Sequence, residues 1–262
     1  MSAEIIVGTS GYSYDDWRGA FYPLRLAKEK MLAFYAREFS FTELNSTYYY
    51  IPPQRVFARL AERTPEGFIF TVKAHKSLTH ERDENPKSSA EKFLLAVKPL
   101  CEAEKLGAVL FQFPYSFRKS EKSTDYLTRL REAFPQVPAA VEFRHVSWVE
   151  QSTYQLLRSL ELAYVCVDEP RLYGLVGPVA VRTSSLGYVR FHGRNAAKWW
   201  KCKEPWERYD YLYDEKELAE WVPRAHNIAR GANRVFIAFN NHPRAQAVCN
   251  ARTFRNMIQA SY

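Results

Sequence analysis

Cysteine, compact metal-ligand motifs, nucleotide-binding glycine loops and long apolar runs are all scarce in this chain of 262 residues. Its four cysteines, Cys101, Cys166, Cys202 and Cys249, lie far apart and form no C-x-x-C pair. That spacing excludes a zinc ribbon and a dense disulfide scaffold. No apolar run approaches the roughly 20 residues that span a bilayer. The opening MSAEIIVGTSGY carries Glu4 and no long apolar stretch, so no signal peptide is expected. Neither G-x-x-x-x-G-K-[ST] nor G-x-G-x-x-G occurs, so nothing supports a nucleotide cofactor. A serine-hydrolase elbow, G-x-S-x-G, is missing too. Internal repeats and low-complexity segments are lacking. The absences leave a soluble protein of a reducing compartment, expected in the cytoplasm, without a membrane partner.

What is present is a sizeable core and a positive balance. Hydrophobic residues make up 47%, enough to exclude a disordered chain. Lysine and arginine number 37 against 29 acidic residues, a formal charge of +8 that draws anions of any kind. Oligomeric state is not legible from any of this.

Short runs rich in Val, Ile, Phe and Tyr alternate with amphipathic stretches, as buried strands and surface helices do. Strands are expected over 4–8, 41–45, 68–73, 108–112, 139–143, 163–168, 187–192 and 234–240. Helices are expected over 26–39, 53–63, 88–105 (kinked at Pro99), 124–134, 151–160, 215–230 and 245–258. Each parallel crossover needs room for a helix, so eight such units imply parallel pairing. At this length, a chain opening on a strand and closing on a helix fits a single α/β domain over 1–262, a (β/α)8 TIM-type barrel. The exception is 169–185, which reads as loop, so the barrel is expected to be elaborated or irregular between strands six and seven.

Polar residues mark the strand ends. Gly8-Thr9-Ser10-Gly11 follows the first strand. Glu43 and Asn45 end the second, Lys73 and His75 the third, and Gln112 the fourth. Glu142 and Arg144 end the fifth and Asp168 the sixth. Arg190 and His192 end the seventh, and Asn240 and Asn241 the eighth. In a barrel these ends converge on the face that carries catalytic groups.

Seven ordered segments resemble the YecE-like family, the domain of unknown function 72. They are GTSGYSYDDW (8–17), TELNSTYY (42–49), VKAHKSLTH (72–80), LFQFPYSF (110–117), VEFRHVSW (141–148), VRFHGR (189–194) and AFNNHPRAQAVCNA (238–251). The resemblance spans nearly the whole chain and implies a barrel similar to the TIM fold. It supplies no reaction, cofactor or catalytic residues. Where the family usually reads asparagine-asparagine-aspartate, this chain has His242 after Asn240 and Asn241, which removes a carboxylate from that corner.

Glu43 and Glu142, on strands two and five, would face each other across the mouth as a general acid/base pair, with His192 beside them. The alternative is that each carboxylate forms an internal ion pair with Lys73, Arg144 or Arg190. Lys73, Arg144, Arg190 and Arg194 read as an anion clamp, or as neutralisers of Glu43, Glu142 and Asp168. Asn45, Gln112, Asp168, Asn240 and Asn241 would bind substrate hydroxyls, with Tyr14 and Trp17 lining the mouth. Glu142, Asp168 and His192 on consecutive strands suggest a metal, but no H-x-x-x-H or H-x-x-E-H occurs and nearby cations oppose it, so neither metal nor cofactor is expected. Gly8 to Gly11 reads as a tight turn, or weakly as a phosphate cradle. The loop over 198–213 interleaves lysines with Trp199, Trp200 and Trp206, either to stack a sugar or base or to pack on the rim as a lid. The leading expectation is an enzyme for a small polar anionic substrate, a sugar phosphate or related molecule, using acid/base chemistry at the C-terminal face. A nucleic-acid-binding protein or nuclease, and a non-catalytic ligand-binding barrel, are the alternatives.

Overall fold

A computed structural model describes residues 3–82 and 85–261. The eight strands are β1 (Glu4–Ser10), β2 (Phe41–Leu44), β3 (Ile69–Lys73), β4 (Leu106–Gln112), β5 (Ala139–Glu142), β6 (Ala163–Asp168), β7 (Leu186–Phe191) and β8 (Arg234–Phe239). They pair in parallel, in chain order, into a closed barrel in which β8 returns to β1. Every expected strand forms, and closure leaves none with an open edge.

The intervening helices are α1 (Met31–Tyr35), α2 (Gln54–Glu62), α3 (Lys87–Glu102), α4 (Glu121–Ala133), α5 (Gln151–Ser159), α6 (Ala196–Trp199), α7 (Glu215–Ala219), α8 (Val222–Ala229) and α9 (Gln246–Ala260). Two depart from expectation. The helix expected over 26–39 is a 3-10 turn, Lys28–Lys30, followed by the single turn and a half of α1. The helix expected over 215–230 splits in two, because Pro223 has no N–H to continue α7 and instead sits in the first turn of α8. By contrast α3 runs through Pro99 without ending. The missing N–H there would have bonded the Leu95 carbonyl, and the side chain of Gln54 donates to that oxygen instead, at 2.8 Å.

Between β6 and β7 no helix forms in 169–185, as the sequence suggests. An extended strap covers the outside of β6. Thr183 fastens it, its hydroxyl accepting from Tyr164 N at 2.8 Å and donating to Leu162 O at 2.5 Å. A second correction concerns β1, which runs on to Ser10, so Gly8 to Ser10 are strand rather than turn. Gly8 is there for close approach: a Cβ would stand 2.2 Å from the Phe41 carbonyl oxygen. Only Gly11, at φ +86°, turns the chain.

Register assigns the faces. Ser10 pairs with Glu43, Glu43 with Thr71, Gln112 with Glu142, Val167 with Arg190 and Arg190 with Ala238. These residues therefore share the inner face, because paired residues of a parallel ladder point the same way. Phe41 and Phe236, ring centroids 4.7 Å apart, fill the lumen below them. The outer face carries Phe191 and Phe239, stacked at 4.4 Å and packed on Trp221 and Phe254.

Candidate functional site

The C-terminal end of the lumen holds a buried, continuous charge network. The Arg190 guanidinium lies at its centre, with Nη2 2.6 Å from Glu43 Oε1 and Nη1 2.5 Å from Glu142 Oε2. Glu43 accepts a second bond from Tyr188 OH at 2.7 Å, and Tyr188 in turn meets Thr71 Oγ1 at 2.7 Å. Arg144 Nε stands 2.7 Å from Glu142 Oε1 and its Nη1 3.4 Å from Glu169 Oε2. His192 Nε2 is 3.2 Å from Glu142 Oε1, and its Nδ1 is 3.1 Å from Asn240 Nδ2. Neither Arg144 nor His192 is aligned with Glu142 Oε1 as a hydrogen bond, so that oxygen is a buried acceptor without a directed donor. Ser10 Oγ on the same face is likewise unpartnered. A buried polar atom with no partner at all, such as Ser10 Oγ, costs about 1–3 kcal/mol.

The network assigns protonation states. Burial pushes the Glu142 carboxyl up, but Arg144, Arg190 and His192 together override it and hold the group well below the carboxylate range. Glu142 is therefore a fixed anion, a base at most. Arg190 lies between Glu142 and Glu43, and each carboxylate forms an internal ion pair with it. Burial and Arg144 push His192 down to about 3, leaving it neutral. Two groups are poised near neutrality. Burial raises Glu169 to about 7, against the pull of Arg144. Lys73 is lowered to about 7 by burial, then Arg190, with Arg144 adding and the carboxylates opposing.

Lys73 differs from the arginines in its partners. Its Nζ donates to Gln112 Oε1 at 2.6 Å and sits 4.6 Å from the centre of the Tyr48 ring. Among the described residues no carboxylate lies within 4.0 Å of it. Asn45, just past β2 and three residues before Tyr48, is half-buried, with its Oδ1 unpartnered.

Four expected site residues lie elsewhere. Asp168 faces the helix layer, where it accepts from Trp221 Nε1 at 2.7 Å and Tyr213 OH at 2.8 Å. Arg194 is bidentate to Asp168, at 2.9 and 2.8 Å, and also reaches Glu217 and Glu220. Its charge is neutralised there. Asn241 donates to Tyr211 O and Asn250 Oδ1, both at 2.8 Å, tying the loop to α9. Trp17 is fully buried and donates to the His242 carbonyl at 2.7 Å. With Asp168 turned away, the three-residue metal grouping does not converge. No cluster of three or more His, Cys, Asp or Glu among the described residues is disposed to hold a metal ion.

Alternation could have found Glu169. If Arg190 and His192 face the lumen, the register that pairs Val167 with Arg190 sends Asp168 outward and Glu169 inward. The loop over 198–213 lies over the mouth. Trp199 is buried above Arg144, 5.9 Å from ring centre to guanidinium, while exposed Trp200 reaches Tyr115 beyond β4 at 5.0 Å. Tyr209 stands 6.1 Å from His192 and 6.2 Å from His242, which stacks on Tyr14 at 4.6 Å. The histidine that replaces the expected aspartate thus continues an aromatic wall from β1 to the lid.

Fold and site together define a (β/α)8 barrel whose C-terminal mouth is closed by an arginine–carboxylate network under an aromatic lid. Residues 6–262 match the family described as protein of unknown function DUF72, and the chain belongs to that family. It is similar to the UPF0759 protein YunF of Bacillus subtilis (strain 168), with 32% identity over 98% of this chain and 96% of that one. A DUF72 family protein of Thermotoga maritima MSB8 shares 41% identity and a TM-score of 0.91, covering 98% of this chain and 99% of its own. One from Enterococcus faecalis V583 shares 28%, with a TM-score of 0.86 over 98% of this chain and 96% of its own.

Proposed function

We propose that this barrel is an enzyme for a small, polar, anionic substrate, a sugar phosphate or related molecule, working by acid/base chemistry at the C-terminal mouth. The observation that carries the reading is Lys73. The positive charges of Arg190 and Arg144 are spent on Glu43, Glu142 and Glu169, whereas Lys73 has only neutral partners. A half-buried cation without a counter-ion favours an anionic ligand, and the low-polarity surroundings strengthen the attraction. Glu169 and Lys73, both near neutral pKa, are suited to exchange protons at physiological pH. Gln112, Asn45 and Asn240 supply donors and acceptors for hydroxyls around them.

Thermal unfolding with millimolar glycerol 3-phosphate, ribose 5-phosphate and glucose 6-phosphate tests this. At least one should raise the midpoint by several degrees, because a ligand of the folded state stabilises by mass action. The shift should vanish in Lys73→Ala. No shift with any of them, or an equal shift in the variant, removes the anionic-substrate reading.

A further inference from the structure

We infer that the Lys73 amine is a nucleophile that forms an imine with the carbonyl carbon of a small anionic aldehyde or ketone bound in this mouth. The inference rests on the proposed anionic-substrate site and names the reactive group of that substrate.

A buried lysine elsewhere in the barrel shows what a structural ammonium looks like here. Lys105 is buried and donates to three oxygens, Ala61 O at 2.7 Å, Thr64 O at 2.7 Å and Thr64 Oγ1 at 2.9 Å. All three N–H groups of the ammonium have an oxygen to donate to. Lys73 has one oxygen, Gln112 Oε1, and the face of Tyr48. Near neutral pH the ammonium and the neutral amine are both populated: the ammonium attracts the anionic substrate, and the neutral form keeps one N–H on Gln112 and leaves the nitrogen lone pair free. The carboxylates that would otherwise hold an ammonium in place are engaged by Arg190, Arg144 and Tyr188. Like charge from Arg190 and Arg144 further disfavours the ammonium, and burial with that repulsion brings the group to about 7. Cationic neighbours and desolvation are the two ways a lysine is activated as a carbonyl nucleophile.

The position suits the chemistry. Lys73 ends β3 at the C-terminal face, on a rigid strand rather than a loop. Its side chain enters the mouth, and Tyr48 and Gln112 hold the nitrogen in place. The balance is simple. The amine adds to the carbonyl carbon and a C–N bond forms. Both protons of the amine leave with the carbonyl oxygen as water, and the C=N bond remains. No oxidant or reductant takes part.

Borohydride trapping followed by peptide mapping tests the inference on the full chain. Dihydroxyacetone phosphate, pyruvate and glyoxylate serve as carbonyl probes, and glycerol 3-phosphate as the carbonyl-free control. Hydride reduces an imine to a stable secondary amine, whose added mass marks the modified lysine. At least one probe should label Lys73 tenfold or more above exposed lysines such as Lys92, Lys98 and Lys201, with yield half-maximal near pH 7 and levelling about one unit above it. Lys73→Arg keeps the charge and should retain a thermal shift with glycerol 3-phosphate while losing the label at this position. Lys73 unlabelled by all three probes, or labelled no more than exposed lysines, overturns the inference. If any of the anionic ligands, carbonyl probe or sugar phosphate, still shifts the unfolding midpoint in that case, the proposed function stands without the imine; if none does, both fall.

Discussion

At the scale of single residues, burial and fixed neighbours decide which groups in the mouth titrate. Glu169 is raised from 4.5 to about 7, so between those values the folded state binds a proton the unfolded chain has released. Stability must therefore fall as pH rises through this window. His192, lowered to about 3, acts in the opposite sense between 3 and 6.5, so the raw profile mixes the two. Subtracting the profile of Glu169→Gln isolates the carboxyl. The wild type should lose on the order of 3 kcal/mol relative to the variant between pH 4.5 and 7. Urea unfolding at half-unit pH steps measures it, and parallel profiles would show that Glu169 is an ordinary surface-like acid. The identity of this residue was open to sequence reasoning only through strand alternation. Asp168, one position earlier, draws attention as the strand-terminal acid, yet the pleat sends it to Trp221 and Tyr213.

At the scale of elements, close approach accounts for features that composition suggests for other reasons. Gly8 reads as belonging to a turn, but β1 continues to Ser10 and the Phe41 carbonyl occupies the place of a Cβ. Gly8→Ala should cost at least 1–3 kcal/mol, because the obstacle is backbone and a closed barrel cannot spread one strand pair locally. Guanidinium unfolding would measure this, and a loss below about 0.5 kcal/mol would show that β1 and β2 separate freely. All eight strands were legible, since buried parallel strands are continuous apolar runs. The helices at 26–39 and 215–230 were not. Apolar spacing marks a face to be buried, but a short 3-10 turn or a proline restart buries the same face.

Over the whole molecule, the formal charge is +8, and several of the cations around the mouth have carboxylate partners. Arg144, Arg190 and Arg194 are held by carboxylates, and Lys198 in the lid pairs with Glu207 at 2.9 Å. Exposed Trp200 and Trp206 still offer stacking surface in that loop. Single-stranded oligonucleotide binding, if measured by fluorescence anisotropy against salt, should show a log–log slope no steeper than about −2, since each phosphate neutralised contributes roughly −0.7 to −0.9. A slope near −5 with submicromolar affinity would favour the nucleic-acid reading instead. Among the described residues no helix is long and apolar enough to cross a membrane.

The order of strands, the closed parallel barrel, the irregular strap and the strand ends that gather at one mouth all follow from local pattern, because period and length act over a few residues at a time. Which of those polar ends share a lumen is a matter of register around the closed sheet, and register joins residues more than a hundred positions apart, as Arg190 joins Glu43. Only the folded barrel could turn Glu43 and Glu142 into ion pairs, remove Asp168 and Arg194 to the helix layer, and leave Lys73 without a carboxylate. Charge neutralisation depends on distances of a few ångströms, and those distances exist only once the sheet has closed.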